Sequence, residues 1–482
     1  MSIVRHTWYN LAGACVPILV SLVAVPLYLE RIGASRYGVL AIVWLLLSYF
    51  GMFDLGLSRA TANQIARLRE AAVGEREEVF WTACLANAAL GAVGGLMLYL
   101  IGGPLLGQWF KMSAALHAEA VAALPWVAAA VPVATVTAVL TGVLEGRERF
   151  GAVNVVQSSG TMLLQAAPLA AAYLISPRLQ VIVPVAVAVR AVSAVPLVIL
   201  VRAALPMRNR PRFRAARMRS LLSYGAWISV TNFVGPILTS LDRLLIGVLV
   251  GVQAVAHYVV PSNLTNQAQI VPSALSRTLF PRLSAEGPRQ ARLTALESVI
   301  ALTAVMTPLI VLGEFLIRPF LVAWVGEDFA HHAAPLGEAL LLGVWINALA
   351  FVPFALLQAQ GRPDVVAKFH LLELAPFAVL LWQGVVRFGL AGAAFARVSL
   401  SAADALLLFW AAALGSDIAK RLGLSAVLVV SAWYCVHARP RSFDPLRLSM
   451  GALLVVFAGI WSLASSARVR REIMKVLAHI GV

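Results

Sequence analysis

Charged side chains inside otherwise apolar runs are the first residues to explain. Arg190, Arg243, Arg397, Asp242 and Asp404 all sit in such runs. A charge at the centre of a membrane costs about 3 kcal/mol or more, so it faces a wet cavity or a partner. Arg190 lies deepest, and its two readings are a cavity-facing cation and a buried pair, for example with Asp404. Arg397 lies toward one end of its run, where snorkelling to the interface competes with a cavity role. Asp242 and Arg243 are adjacent, and adjacent residues of a helix do not face each other, so each needs its own partner. A second group is polar rather than charged. Asn263, Asn266, Gln267 and Ser273 recur at helical spacing, which predicts one polar face. Such a face cannot meet lipid without partners. It is buried against other helices or lines a wet cavity. The cavity is the reading carried forward, because amides hydrogen-bond hydroxyl-rich molecules such as sugars. Asn154, Gln157 and Gln165 offer the same on another run.

The elements that must position these groups are helices in a bilayer. Of the 482 residues, 61% are hydrophobic and 12% charged, where a soluble domain carries about 25% charged residues. Apolar runs of about 20 residues recur from end to end, the length that crosses a bilayer as a helix. Fourteen spans are read, at roughly 8–29, 38–57, 80–101, 121–143, 153–175, 181–201, 221–249, 252–276, 293–317, 336–358, 369–386, 390–413, 422–437 and 449–465. Each is too long for a barrel strand. The first run is long enough to span and reads as a helix rather than a cleaved signal. The expected class is an all-α polytopic membrane protein with no soluble domain.

The basic residues set the orientation. Most of the 38 Lys and Arg residues fall in alternate segments between the runs, and such segments stay in the cytoplasm. Both termini are then cytoplasmic. The net charge of +16 is read as a topology signal and calls for no nucleic acid. The most basic segment, 202–220, anchors the topology, links two halves of the chain and reaches anionic headgroups. The loop 58–79, with Glu75, Glu77 and Glu78 among its arginines, reads as a solvated interfacial helix. Asp54, just before it, either caps a helix, pairs with Arg59 or serves function.

The two halves echo each other. Trp8 falls on Trp227 in the same register that places Pro17-Ile18-Leu19-Val20-Ser21-Leu22 on Pro236-Ile237-Leu238-Thr239-Ser240-Leu241. In a nearby register Pro104 and Trp109 recur as Pro319 and Trp324, and Gly146-Arg147 as Gly361-Arg362. An even number of spans per repeat makes the halves parallel, and substrate sites of such pairs lie near the midplane. The expected organisation is a six-helix bundle over 1–201, the linker 202–220, a second six-helix bundle over 221–414, and two extra helices with a basic cytoplasmic tail over 415–482. Pro17 and Pro236 are expected to bend their helices.

Several chemistries find no footing. There is no Gly-rich phosphate cradle with its Lys and Ser/Thr, which argues against ATP hydrolysis by this chain. No Ser/His/Asp constellation has a recognisable context. Cys15, Cys84 and Cys435 lie in apolar runs without metal spacing and read as packing residues. His331-His332 lacks further ligands in its segment and reads as solvated. No cofactor is expected, and no segment between spans is long enough for a catalytic domain.

Two stretches carry a family resemblance. The first is Asn10-Leu11, Pro17, Pro26-Leu27-Tyr28, Ile32-Gly33, Tyr37-Gly38 and then Phe53-Asp54-Leu55-Gly56-Leu57. The second is Asp242-Arg243, Tyr258-Val259, Phe280-Pro281-Arg282-Leu283-Ser284 and Gly361-Arg362. Together they resemble the Wzx-type polysaccharide flippases of the multidrug/oligosaccharidyl-lipid/polysaccharide (MOP) exporter superfamily, over nearly the whole chain. The resemblance implies two six-helix bundles around a V-shaped central cavity, often with two added helices. It implies an undecaprenyl-diphosphate-linked oligosaccharide as substrate, carried from the cytoplasmic to the periplasmic leaflet for a surface polysaccharide. Other polysaccharide-assembly membrane proteins are the implied partners. Cationic cavity residues are typical of that family, and Arg190, Arg243 and Arg397 are the candidates here by position, with Asn263, Asn266 and Gln267 for the sugars. A guanidinium suits a diphosphate because its planar fork bonds two oxygens. Without ATP chemistry, an ion gradient, the membrane potential or the substrate gradient supplies the energy, and Asp242 and Asp404 are the candidate H+ or Na+ groups. Three alternatives stay open: a drug/cation antiporter of the same fold, a peptidoglycan-precursor flippase, and a membrane polysaccharide polymerase or ligase.

Overall fold

The computed structural model describes residues 3–49, 54, 56–68, 73–205, 212–438 and 445–465. Among the described residues all regular structure is helical, in fourteen α-helices and one short 3-10 turn. Six of these helices are long and apolar enough to cross a membrane. The chain forms two compact units, Met1–Ser240 with Gly247–Ala256, and Leu241–Ile246 with His257–Val482.

The first unit holds α1 (Ile3–Tyr49), α2 (Leu57–Arg67), α3 (Val73–Gln108), α4 (Ala114–Gly146), α5 (Phe150–Leu174), α6 (Leu179–Ala204) and most of α7 (Ala215–Leu249). α1 covers two of the spans read from sequence. They meet at Gly33, whose φ of 76° and ψ of 163° break the helix; a side chain there would be strained by the backbone alone. The elbow is tied down on three sides. Tyr28, Tyr37 and Trp44 pack ring to ring at centroid distances of 5.4–6.2 Å. Arg31 Nε donates to the Ala172 carbonyl at 2.9 Å and its guanidinium lies over the Tyr173 ring. Arg36 grips both oxygens of Glu119 at 2.9 and 2.7 Å, and Glu119 also accepts the Leu179 N–H at the start of α6. The two elbow arginines therefore bind α4 and α5, which fixes where the first two helical arms stand.

The loop expected to be a solvated helix is more buried than its charge implies. α2 sinks Leu57, Ala60, Thr61 and Ile65 against the rest of the unit while Arg59 and Arg67 stay exposed. Asp54 is itself buried and caps α2: its carboxylate accepts the Ser58 N–H at 3.0 Å, the Ser58 hydroxyl, and Asn87 Nδ2 at 2.6 Å. Of the three candidate roles for Asp54, capping is the one its contacts display. Glu75, Glu77 and Glu78 belong to the first turns of α3, with Glu77 buried. The latter part of the linker 202–220 is also helical, as the start of α7. Its Arg217 meets Glu75 at 3.0 Å and its Arg214 meets Glu78 at 2.8 Å.

The second unit holds the stretch Leu241–Ile246 of α7 with most of α8 (Val252–Asn266), then α9 (Ile270–Ala285), α10 (Pro288–Val325), α11 (Glu327–Ala359), α12 (Pro363–Ala411), α13 (Gly415–Ala438) and α14 (Pro445–Ser465). α10 and α11 are its spine. They turn back on each other at Gly326 (φ 89°) and bury Val299, Leu302, Met306, Ile310, Leu340, Val344, Leu349 and Leu356. Arg318 and Glu338 form a buried pair between them at 3.1 Å. α13 and α14 both pack on α10, and Gly451 lies against the Phe315 ring. α12 again covers two spans read from sequence, broken at Gly389 (φ 59°, ψ −135°). Its two arms run antiparallel, and the backbones of Gly384 and Gly392 touch so closely that neither position has room for a Cβ.

One expected span is not a single helix. The run 252–276 is interrupted by a 3-10 turn at Gln267–Gln269 between α8 and α9. Pro272 supplies the reason, since it has no N–H for the carbonyl one turn earlier and its ring crowds that turn. Asn263 and Asn266 close α8, Gln267 opens the turn and Ser273 lies in α9, so the four do not form one regular stripe. The side chains of Trp8, Cys15, Pro17, Trp227 and Pro236, and the basic tail after 465, lie outside the described residues.

Candidate functional site

Asp242 is the centre of the most connected polar cluster. It closes the last part of α7 and is 2% exposed. Its Oδ2 accepts from Arg397 Nη2 at 2.6 Å, from Arg397 Nε at 3.1 Å and from the Tyr258 hydroxyl at 2.8 Å. Its Oδ1 accepts the Arg243 N–H at 2.8 Å. Tyr258 is fully buried in α8. Arg397 comes from the second arm of α12, and its guanidinium lies 5.4 Å from the ring centre of Phe377 on the first arm. The cluster thus joins α7, α8 and both arms of α12 through one carboxylate. Taking away one member of such a buried pair costs about 3–5 kcal/mol, because the other charge is left stranded.

Arg243 points elsewhere, as adjacency requires. Its Nη2 donates to Asn263 Oδ1 at 3.0 Å, in an exposed contact. Asn266 and Gln267 are exposed beside it, with Asn266 Nδ2 3.5 Å from the Ser262 hydroxyl. Of the sequence-derived candidates, the structure pairs Asp242 with Arg397 and Arg243 with Asn263, while Asn266 and Gln267 follow about one turn further on, at the end of α8 and the start of the 3-10 turn.

Arg190 belongs to the first unit, in α6. Its Nε is buried, and among the described residues it has no hydrogen-bond partner and no carboxylate lies within ion-pair distance. Asn154 and Gln157 are exposed on α5, which packs along α6. Asp404 sits in the second arm of α12, 3.7 Å from Nε2 of His370.

Sequence reasoning missed three residues in these surroundings. Tyr258 has no charge to draw attention, although it falls within a quoted motif. Glu373 is an acid inside the span 369–386, and His370 stands one turn before it on the same face; a count of acids within spans would have found Glu373. His331-His332 has more company than its segment supplied. His332 stacks on His257 at 5.0 Å, and its Nδ1 lies 3.1 Å from the Asp328 carbonyl.

The fold is that of the MOP-superfamily transporters. The structure superposes on an inward-facing multidrug-resistance MATE transporter of that superfamily with a TM-score of 0.68 at 14% identity, covering 85% of this chain and 96% of the other. It superposes on the lipid II flippase MurJ, in an inward closed conformation, with a TM-score of 0.72 at 11% identity, covering 94% and 97%. The chain belongs to the polysaccharide biosynthesis protein family, whose sequence profile it matches over residues 3–285. A Shigella flexneri protein named as an O-antigen transporter is 28% identical over 411 residues, 85% of this chain and 97% of the other. These relatives agree with the resemblance seen in the sequence, and the chain is a multi-pass membrane protein with the fold of those transporters.

Proposed function

We propose that this protein is a flippase that moves a polyprenyl-diphosphate-linked oligosaccharide from the cytoplasmic to the periplasmic leaflet of the bacterial inner membrane by alternating access, for assembly of a surface polysaccharide. Family membership and the O-antigen transporter relative support the substrate class. The observation that carries the reading is Arg190: a guanidinium well inside a long apolar helix, with a buried Nε that meets no acceptor among the described residues. Its charge is compensated when a diphosphate arrives, and its fork bonds two phosphate oxygens. Arg243, partly exposed, and the exposed Asn263, Asn266 and Gln267 supply donors and acceptors for sugar hydroxyls. Arg397 contributes differently, since its guanidinium is held by Asp242; an arriving phosphate competes with that carboxylate. Flipping makes and breaks no covalent bond, so the chain acts as a carrier and not as an enzyme, alone or beside other polysaccharide-assembly proteins. The basic segment 202–220 and both termini face the cytoplasm, and cysteine labels at 212–214 react only from that side.

The test uses the purified protein in liposomes with a fluorescent polyprenyl-diphosphate oligosaccharide. The wild type moves the probe between leaflets. Arg190→Ala elutes as folded protein yet loses the activity, and Arg190→Lys keeps the charge without the fork and retains part of it. A stable, fully active Arg190→Ala protein overturns the role of Arg190. Movement of lipid II or of cationic dyes in place of this probe favours the peptidoglycan-precursor or antiporter reading.

A further inference from the structure

His370, Glu373 and Asp404 lie away from the Asp242 cluster, toward the Pro363 end of α12. The fold brings them together for a simple reason. Glu373 and Asp404 lie nearly the same number of residues from Gly389, on opposite sides, so the antiparallel arms set them level. At about 1.5 Å per residue both are roughly 23 Å along their arms from the elbow. His370 stands three residues before Glu373 and so shares its face. One ligating atom from each of the three side chains lies within 4.8 Å of the others.

The cluster is incomplete without a ligand. Glu373 is only 6% exposed, and its Oε1 has no hydrogen-bond partner among the described residues. Asp404 Oδ1 is also buried without a hydrogen bond; the His370 nitrogen is 3.7 Å away, too far to donate. Among the described residues no Lys or Arg pairs with either carboxylate. Two carboxylates and an imidazole in apolar surroundings call for a cation between them. A separation of 3.7 Å is close to the spacing of two ligands on one tetrahedral metal, about 3.4 Å for bonds near 2.1 Å. A divalent ion balances both carboxylates beside a neutral imidazole. The nitrogen ligand favours a first-row transition ion over Na+, Mg2+ or Ca2+, which prefer oxygen alone.

We propose that His370, Glu373 and Asp404 bind one divalent transition-metal ion, through an imidazole nitrogen and an oxygen of each carboxylate. The ion clasps the two arms of α12 at the end remote from Gly389. This inference stands apart from the transport reading, because binding is measured without transport. It also removes Asp404 from the candidate H+ or Na+ groups.

The full chain, purified in detergent and stripped with a chelator, is titrated with Co2+ and followed by visible ligand-field absorption. One Co2+ binds per chain, and Zn2+ displaces it. Glu373→Gln and His370→Ala each weaken binding more than about tenfold, since even outer partners of metal ligands are worth that much. His370 is partly exposed, so His370→Ala keeps its fold, which its elution profile checks. His332→Ala, outside the cluster, leaves the titration unchanged. Zn2+ raises the melting temperature of the wild type and not that of His370→Ala. A folded wild type that binds no Co2+, or Co2+ binding that survives Glu373→Gln combined with His370→Ala, overturns the site.

Discussion

Arg190 and Arg397 are the same residue type in the same kind of helix, yet the protein treats them in opposite ways. Arg397 is met by Asp242 at 2.6 Å, with Tyr258 sharing the carboxylate and Phe377 under the guanidinium. Arg190 keeps a buried Nε without an acceptor among the described residues. The first arrangement balances charge within the fold and holds helices together. The second leaves charge to be balanced from outside. A cation inside an apolar helix is therefore either a structural tie or a waiting ligand contact, and its neighbours decide which.

The sharpest way to break this contrast is at the tie. Asp242→Ala strands the Arg397 guanidinium and lowers stability by about 3–5 kcal/mol, read as a large drop in melting temperature in detergent. Pairing it with Arg397→Met recovers most of that loss, because the stranded charge goes as well. An Asp242→Ala protein as stable as the wild type would mean that the pair is not a structural tie. The opposite pattern is expected at Arg190. Arg190→Ala leaves the melting temperature within a degree or two of the wild type, yet slows substrate movement by about tenfold or more, the worth of a charge-assisted hydrogen bond. A protein that fails to fold puts Arg190 in the same class as Arg397.

The elbow of α1 gives an intermediate case. Arg36 is partly exposed and its partner Glu119 is largely buried. Arg36→Ala leaves that carboxylate with the Leu179 N–H as its remaining hydrogen bond and costs about 2 kcal/mol. Thermal denaturation measures this, with Arg36→Lys recovering part of it. The smallest effect is expected at the exposed contact between Arg243 and Asn263. Asn263→Ala changes stability by no more than about 0.5 kcal/mol while reducing affinity for the sugar portion of the substrate, read as a shift in the concentration dependence of transport.

Much of this architecture was legible before any fold was known. Apolar length marks a helix that can cross a bilayer, and that property is local. Both elbows, at Gly33 and Gly389, fall between spans that were read as separate helices. The failures share a physical cause. The run 252–276 reads as one helix because its composition is uniformly apolar with polar insertions, while Pro272 acts on the hydrogen bond of a residue one turn earlier. The loop 58–79 reads as solvated because it is charged, while one apolar face of α2 is enough to bury it. Glu373 gives no signal of its role in the sequence, because a single acid within a span carries no hint of what faces it.

The sequence by itself determined the class of protein, the approximate positions of its helical stretches, and which charged and amide side chains fall within apolar runs. These follow from composition and spacing, which act over a turn or two of chain. The tertiary structure alone decided the pairings. Asp242 and Arg397 are 155 residues apart in the chain, and only the tertiary fold brings them within hydrogen-bond distance. Glu373 and Asp404 meet only because the arms fold level about Gly389, and Arg190 differs from Arg397 only because no carboxylate among the described residues stands beside it. An ion pair depends on distance and direction in three dimensions, and neither is written in the spacing of residues along the chain.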